Sequence, residues 1–321
     1  MASLWVSRRG TIKPQAHFDA GDDAVALRKA IEGLGTKEKT LIDILTHRSS
    51  AQRQLICEAY VEATGRTLVD DLRGDTSGDL EALLVALATP PAAFDCHEVM
   101  RAMKGAGTTE SILIEIFASR SNQQIKFAGF FTETEKKLTL DLKNEISGDF
   151  SDALLLLAEG KRDENTTVDT EKAKEDAKTL YDAGEKKWGT DESKFVDILC
   201  QRSVPQLRQT LVEYKNISGK TLQQSIEGEM TGELEELLVA IVKCVKSMPT
   251  YFAERLHESM KGGGTDESSL NRIMVSRSEI DLLDIRAEFK KLYEYSLHSA
   301  IKSDLSGVLG DCVEAICGGD D

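Results

Sequence analysis

Four carboxylates stand at matched places in this chain of 321 residues, and each follows a bend at a nearly constant distance. The bends read Gly33-Leu34-Gly35-Thr36, Gly105-Ala106-Gly107-Thr108, Lys187-Trp188-Gly189-Thr190 and Gly262-Gly263-Gly264-Thr265. The acids are Asp75, Glu145, Glu229 and Asp304, each opening an acid-x-Ser/Thr-Gly run. Three lie 42 residues beyond the first position of their bend, and Glu145 lies 40 beyond Gly105. Between bend and acid, an Arg-Ser pair begins twelve residues past each threonine, at Arg48, Arg120, Arg202 and Arg277. Landmarks held in register through four copies define a repeat.

A glycine-rich bend between two helices presents several peptide carbonyls, and glycine permits the backbone angles that aim them at one point. Hard cations such as calcium take six to eight oxygen ligands, mixing carbonyls, carboxylates and water. An acid that the fold returns to the bend would add two oxygens. A phosphate oxygen could replace the water and so join the protein to an anionic lipid surface. The plain alternative is that the glycines only end helices and the acids only cap the next ones. Four in-register copies weigh against it. Trp188, inside the third bend, suits a membrane interface or packs against its own helices.

The net charge of −15 argues against nucleic acid and against a polybasic membrane contact, because phosphate repels such a chain. An anionic partner therefore requires a cation in between; otherwise the acidity only keeps the chain soluble. Six cysteines without a CxxC argue against zinc clusters and read as free thiols. No signal peptide is visible, and apolar runs such as 153–158 and 237–242 are too short to span a bilayer. An intracellular, reduced protein is expected, and the sequons at Asn165 and Asn216 carry little weight. An enzyme is not expected. Gly219-Lys220-Thr221 lacks the leading glycine of a phosphate loop because Tyr214 stands there, and neither HExxH nor GxSxG occurs. The better rival is a calcium-independent helical scaffold for protein partners.

The elements that must position these groups are helices: only five prolines interrupt a chain rich in Leu, Ala, Glu and Lys. In the fourth copy a helix runs from Met248 to about Met260, and Thr265 is a natural N-cap for a second helix carrying Leu270, Ile273 and Met274. Asp266 and Glu267 fall in its first turn. Ser278 is expected to cap a third helix carrying Leu282, Ile285 and Phe289. Two shorter helices follow, about 296–302 and 307–316, with Asp304 in the turn between. Ser49 with Gln52, Ser121 with Gln124 and Ser203 with Gln206 have capping-box spacing, and Asp281 takes the glutamine's place in the fourth copy. Each unit is thus about five helices. The short connections at 88–91 and 246–250 make neighbours pack. Only 159–170 reads as an exposed connector, dividing the chain into two halves of two repeats.

The bends, Arg-Ser junctions and closing acids resemble the annexins over about residues 18–318. The resemblance implies an all-α fold of four homologous five-helix repeats packed into a slightly curved disc, with calcium bends on the convex face. The implied parts are a head (1–17) and repeats at 18–89, 90–160, 161–245 (with the connector 159–170) and 246–321. It implies calcium-dependent binding to phosphatidylserine-type anionic phospholipid, self-association on membranes, phospholipase A2 inhibition, and a cytoplasmic protein peripheral to membranes when calcium rises. The implied ligands in the first repeat are the carbonyls of Ile31, Gly33 and Gly35 with the Asp75 carboxylate. In the second they are Met103, Gly105 and Gly107 with Glu145, the least secure set because of the two-residue contraction. In the third they are Gly184, Lys187 and Gly189 with Glu229, and in the fourth Met260, Gly262 and Gly264 with Asp304. Weaker accessory sites are implied at Thr36 with Glu38 and Thr76 with Glu81. The family's polar channel would be lined by Asp95, Glu115, Arg120 and Arg277, for which buried structural ion pairs are the favoured alternative.

Overall fold

The computed structural model describes residues 8–33, 35–104, 107–130, 135–185 and 189–321, without the side chains of 130, 135–138 and 140. Among the described residues, twenty helices make up the regular structure. The first five are α1 (Ala20–Glu32), α2 (Glu38–Thr46), α3 (Ser50–Thr64), α4 (Leu68–Asp75) and α5 (Gly78–Ala88). The next are α6 (Pro91–Ala102), α7 (Glu110–Ser119), α8 (Asn122–Phe130), α9 (Glu135–Glu145) and α10 (Gly148–Ala158). The third group is α11 (Thr170–Ala183), α12 (Glu192–Gln201), α13 (Val204–Ser218), α14 (Leu222–Glu229) and α15 (Glu233–Lys246). The last is α16 (Met248–Ser259), α17 (Glu267–Arg277), α18 (Leu282–Tyr293), α19 (Leu297–Asp304) and α20 (Gly307–Cys317).

These helices gather into two compact units. One holds residues 95–251, the other residues 8–94 together with 252–321. Inside the first, α7, α10, α12 and α15 pack on one another; inside the second, α2, α5, α17 and α20 do the same. Their composition explains the choice. Every residue of α7 from Ile112 to Ser119 is buried, and α15 buries Leu237, Leu238, Ala240, Ile241, Val242, Cys244 and Val245. Helices apolar on several faces must be enclosed on several sides, each fully buried leucine contributing about 1.5–3 kcal/mol. The outer α3, in contrast, buries only Arg53, Ile56 and Tyr60.

The pairing of second with third repeat and first with fourth corrects the expectation that the connector divides the chain into halves. The connector is tied down rather than merely exposed. Arg162 Nη1 donates to the carbonyls of Leu199 and Arg202, both at 2.8 Å. The Arg162 amide donates to Asn122 Oδ1 at 3.0 Å, and the Asp163 amide to the Gln201 carbonyl at 3.0 Å. Burial pushes the Arg162 pKa down, but the two carbonyls take both Nη1 protons at the C-terminal end of α12, where the helix dipole favours a cation.

Capping follows the Ser-x-x-Gln spacing in part. Ser49 with Gln52 and Ser121 with Gln124 form reciprocal boxes. Ser203 accepts from the Gln206 amide, but the Gln206 side chain turns to the backbone of Asp169, with bonds of 2.9 and 2.8 Å. The fourth copy departs further. Ser278 ends α17, its hydroxyl donating to the Val275 carbonyl. Asp281 precedes α18 without a side-chain cap bond, because its carboxylate takes two bonds of 2.8 Å from Arg277.

Candidate metal centres at the interhelical bends

Each bend is closed by one backbone hydrogen bond to the end of the helix before it. The acceptors are the carbonyls of Ala30, Ala102, Ala183 and Ser259, reached by the amides of Lys37, Thr109, Asp191 and Asp266 at 3.0, 2.8, 2.9 and 2.7 Å. The closed segment therefore holds the peptide units singled out as ligands: Ile31, Gly33 and Gly35; Met103 and Gly107; Gly184 and Gly189; Met260, Gly262 and Gly264. Gly105, Lys187 and Trp188 lie outside the described residues. Gly35, Gly107, Gly189 and Gly262 have φ of 81°, 135°, 90° and 104°, values that a side chain would strain. These four glycines are exposed, whereas Ile31, Met103 and Gly184 are buried.

In the first, third and fourth repeats the acid returns to its bend. Thr36 Oγ1 donates to the Asp75 carbonyl at 3.2 Å across 39 residues, and Thr190 Oγ1 to the Glu229 carbonyl at 3.3 Å across 39. Thr265 Oγ1 donates to the Asp304 carboxylate itself. The expected role of Thr265 as an N-cap is overturned because α17 begins one residue later: Asp266 is its N-cap and accepts from the Ser269 amide. Burial pushes the Asp266 carboxyl up, but its bonds from the Ser269 hydroxyl and amide outweigh that and hold its pKa low.

Asp75, Glu145, Glu229 and Asp304 are each the last residue of a helix, α4, α9, α14 and α19, and all four are exposed. The acids therefore do not cap the following helices, whose caps are Ser77, Ser147, Gly232 and Ser306. Asp304 also ends α19 rather than occupying a turn. A carboxylate at a helix C-terminus faces the negative end of the dipole and its free carbonyls. Placed there four times, it is an arrangement that a cation relieves. The contraction in the second repeat leaves Glu145 at its helix end.

Among the described residues, no group of three or more His, Cys, Asp or Glu side chains is placed to hold a metal. The first, third and fourth bends each have one returning acid, so an ion there would be held mostly by peptide oxygens and water. That all-oxygen donor set fits calcium. Of the accessory residues, Thr76 Oγ1 donates to the Leu72 carbonyl at 2.6 Å, and Glu38 and Glu81 lie in the first turns of α2 and α5.

The arginines of the Arg-Ser pairs are bound by carboxylates. Arg120 takes both oxygens of Asp95 at 2.8 Å, with side chains 2% and 10% exposed. Arg48 pairs with Asp23 at 2.7 and 2.9 Å, and Arg202 with Asp176 at 2.8 and 3.3 Å. In the fourth repeat the place of the upstream acid belongs to Phe252. Arg277 stacks over its ring at 4.6 Å and turns to Asp281 instead. Asp95, Arg120 and Arg277 are thus members of buried ion pairs, and Glu115 is fully buried. The aspartates 25 or 26 residues before Arg48, Arg120 and Arg202 are a fourth landmark of the repeat that the motif reading missed.

The sequence model of the annexin family matches residues 22–87, 94–157, 175–241 and 251–316. The chain belongs to the annexin family. Among its relatives, annexin A3 of Homo sapiens is 57% identical over 323 residues, covering 100% of both chains. A solved structure of annexin III, 57% identical, superposes with a TM-score of 0.96 over 100% of each chain. The structure described as calcium-bound annexin (Sm)1 is 34% identical, with a TM-score of 0.85 over 98% of this chain and 94% of that one.

Proposed function

We propose that the protein binds anionic phospholipid membranes through calcium ions held at these bends. The observation that carries this reading is the junction of threonine and acid: Thr36, Thr190 and Thr265 each bond the residue whose carboxylate ends a helix 39 positions later. Peptide oxygens and one carboxylate are thereby gathered at an exposed corner of a chain whose net charge of −15 would otherwise oppose an anionic surface. What a bound calcium ion supplies is positive charge shared by protein and phosphate oxygens. Ile31, Gly33, Gly35 and Asp75 would hold it in the first repeat; Met103, Gly105, Gly107 and Glu145 in the second; Gly184, Lys187, Gly189 and Glu229 in the third; and Met260, Gly262, Gly264 and Asp304 in the fourth. Among the described residues no helix is long and apolar enough to cross a membrane, which agrees with a peripheral association.

In this reading the protein is a reversible binder and not a catalyst. It resides in the cytoplasm, favours phosphatidylserine-type surfaces and self-associates on them. Membrane binding of this kind would shield phospholipid from phospholipase. Sedimentation with anionic vesicles tests it: the protein should pellet with calcium and return to the supernatant with chelator. Equal pelleting in both conditions, or none in either, would favour the metal-independent scaffold.

A further inference from the structure

The third bend is built differently from the other three. Its closing bond joins Ala183 to Asp191, one residue more than in the other copies, and Lys187 stands where the others have their first glycine. Within it lies Glu185, whose side chain is 17% exposed. Lys220 Nζ, from the turn between α13 and α14, donates to both Glu185 oxygens at 3.1 Å, and Ser225 Oγ donates to one of them at 2.9 Å. Beneath them the Tyr214 hydroxyl is buried with no hydrogen-bond partner of good geometry.

The first repeat wires the same corner in another way. Tyr60 donates to Asp71 at 2.6 Å and Arg66 pairs with Asp71 at 2.5 Å. Asp71 belongs to α4, and the carboxylate inside the first bend, Glu32, pairs with Arg28 of its own helix. Ser225 follows Tyr214 by eleven residues, as Asp71 follows Tyr60. The third repeat instead ties its bend carboxylate to the turn between α13 and α14. We propose that Glu185, clamped by Lys220 and Ser225, is a positioning residue that sets the shape of the third bend before any ion arrives. This inference rests on the reading of the bends as calcium sites only for its consequence: the third site becomes the one whose affinity depends on a side-chain ion pair.

The test is backbone hydrogen exchange in the full chain without calcium or lipid. Glu185→Gln and Lys220→Met should each speed exchange over residues 183–191 by about threefold, the order of a partly exposed ion pair. The matching segments 30–37 and 259–266 should not change. Reversing the pair, Glu185→Lys with Lys220→Glu, should restore slow exchange. The half-maximal calcium for vesicle sedimentation should rise in both single variants. Adding Ser225→Asp to Glu185→Gln returns a carboxylate under Lys220 and Tyr214 without holding the bend; exchange should stay fast. Unchanged exchange in both single variants overturns the proposal, as does full recovery with Ser225→Asp, which would reduce Glu185 to a buried hydrogen-bond acceptor. Loss of calcium dependence in the unaltered protein would sink the membrane reading while leaving the exchange comparison intact.

Discussion

The Thr265 hydroxyl donates to the carboxylate of Asp304, 39 residues away, so the two ends of the fourth candidate site are in contact without an ion. In the first and third repeats the corresponding threonines reach the backbone carbonyl of the acid instead. Asp304→Asn should therefore raise the calcium needed at the fourth bend by at least about tenfold, and Thr265→Val by less, since it removes only the support of the carboxylate. Calcium titration with Asp75, Glu145 and Glu229 amidated in both variants isolates this bend. Equal affinities with and without the Asp304 charge would remove it from the ligand set.

The buried pair of Arg120 and Asp95 predicts a large stability effect. Asp95→Asn leaves the guanidinium enclosed without its counter-charge, at a cost of about 3–5 kcal/mol. Asp176→Asn should cost less, because Arg202 is 29% exposed in its side chain and water can reach it. Urea unfolding of the two variants gives the order, which reverses if burial does not govern the cost.

Two aspartates predict loss of stability in acid. Burial pushes the Asp71 carboxyl up, but hydrogen bonds from Tyr60 and Arg66 outweigh it and hold its pKa below the usual aspartate range. Asp266 is lowered in the same sense by Ser269. A depressed folded-state pKa contributes stability that is complete above the unfolded value, about 3.9, and vanishes as pH falls through the folded value. Thermal unfolding between pH 6 and pH 2 should show that decline, and Asp71→Asn should flatten it.

Arg162 makes a testable anchor of the connector. Arg162→Met removes two bonds to the carbonyls of Leu199 and Arg202, and each carbonyl left without a partner costs about 1–3 kcal/mol. Limited proteolysis should then cut within 159–170, where the unaltered protein resists. Identical cleavage of both would show that the anchor contributes nothing.

Much of the candidate site was legible because it is written in residue types that physical chemistry makes unusual. Glycines at positive φ, such as Gly35 and Gly262, and acids at fixed distance can be found without coordinates. What could not be read is which partner a polar group chooses when several are near. Thr265 is a good cap by type, yet the helix starts one residue later, so Asp266 caps it and the Thr265 hydroxyl donates to Asp304 instead. Asp281 has a capping position, but the Arg277 charge claims it because Phe252 has displaced the upstream acid. The connector looks solvated by composition, and only the fold reveals that α12 ends where Arg162 can reach its carbonyls. The pairing of first with fourth repeat has no local signal at all; it depends on long-range contacts such as α2 on α20.

That last pairing has a consequence for synthesis. The unit made of residues 8–94 and 252–321 is interrupted by the whole of the other unit. Arg9 and Ile12 hydrogen-bond the backbone at Ser278, Ile280 and Leu283, and Gly10 lies so close to Glu279 that a Cβ there would fall 2.4 Å from its Cα. A ribosome delivering roughly 5–20 residues per second releases the first repeat many seconds before the segment that completes it. Its apolar flank must stay out of trouble through that interval, so slowing translation or removing chaperones should harm this unit before the continuous one.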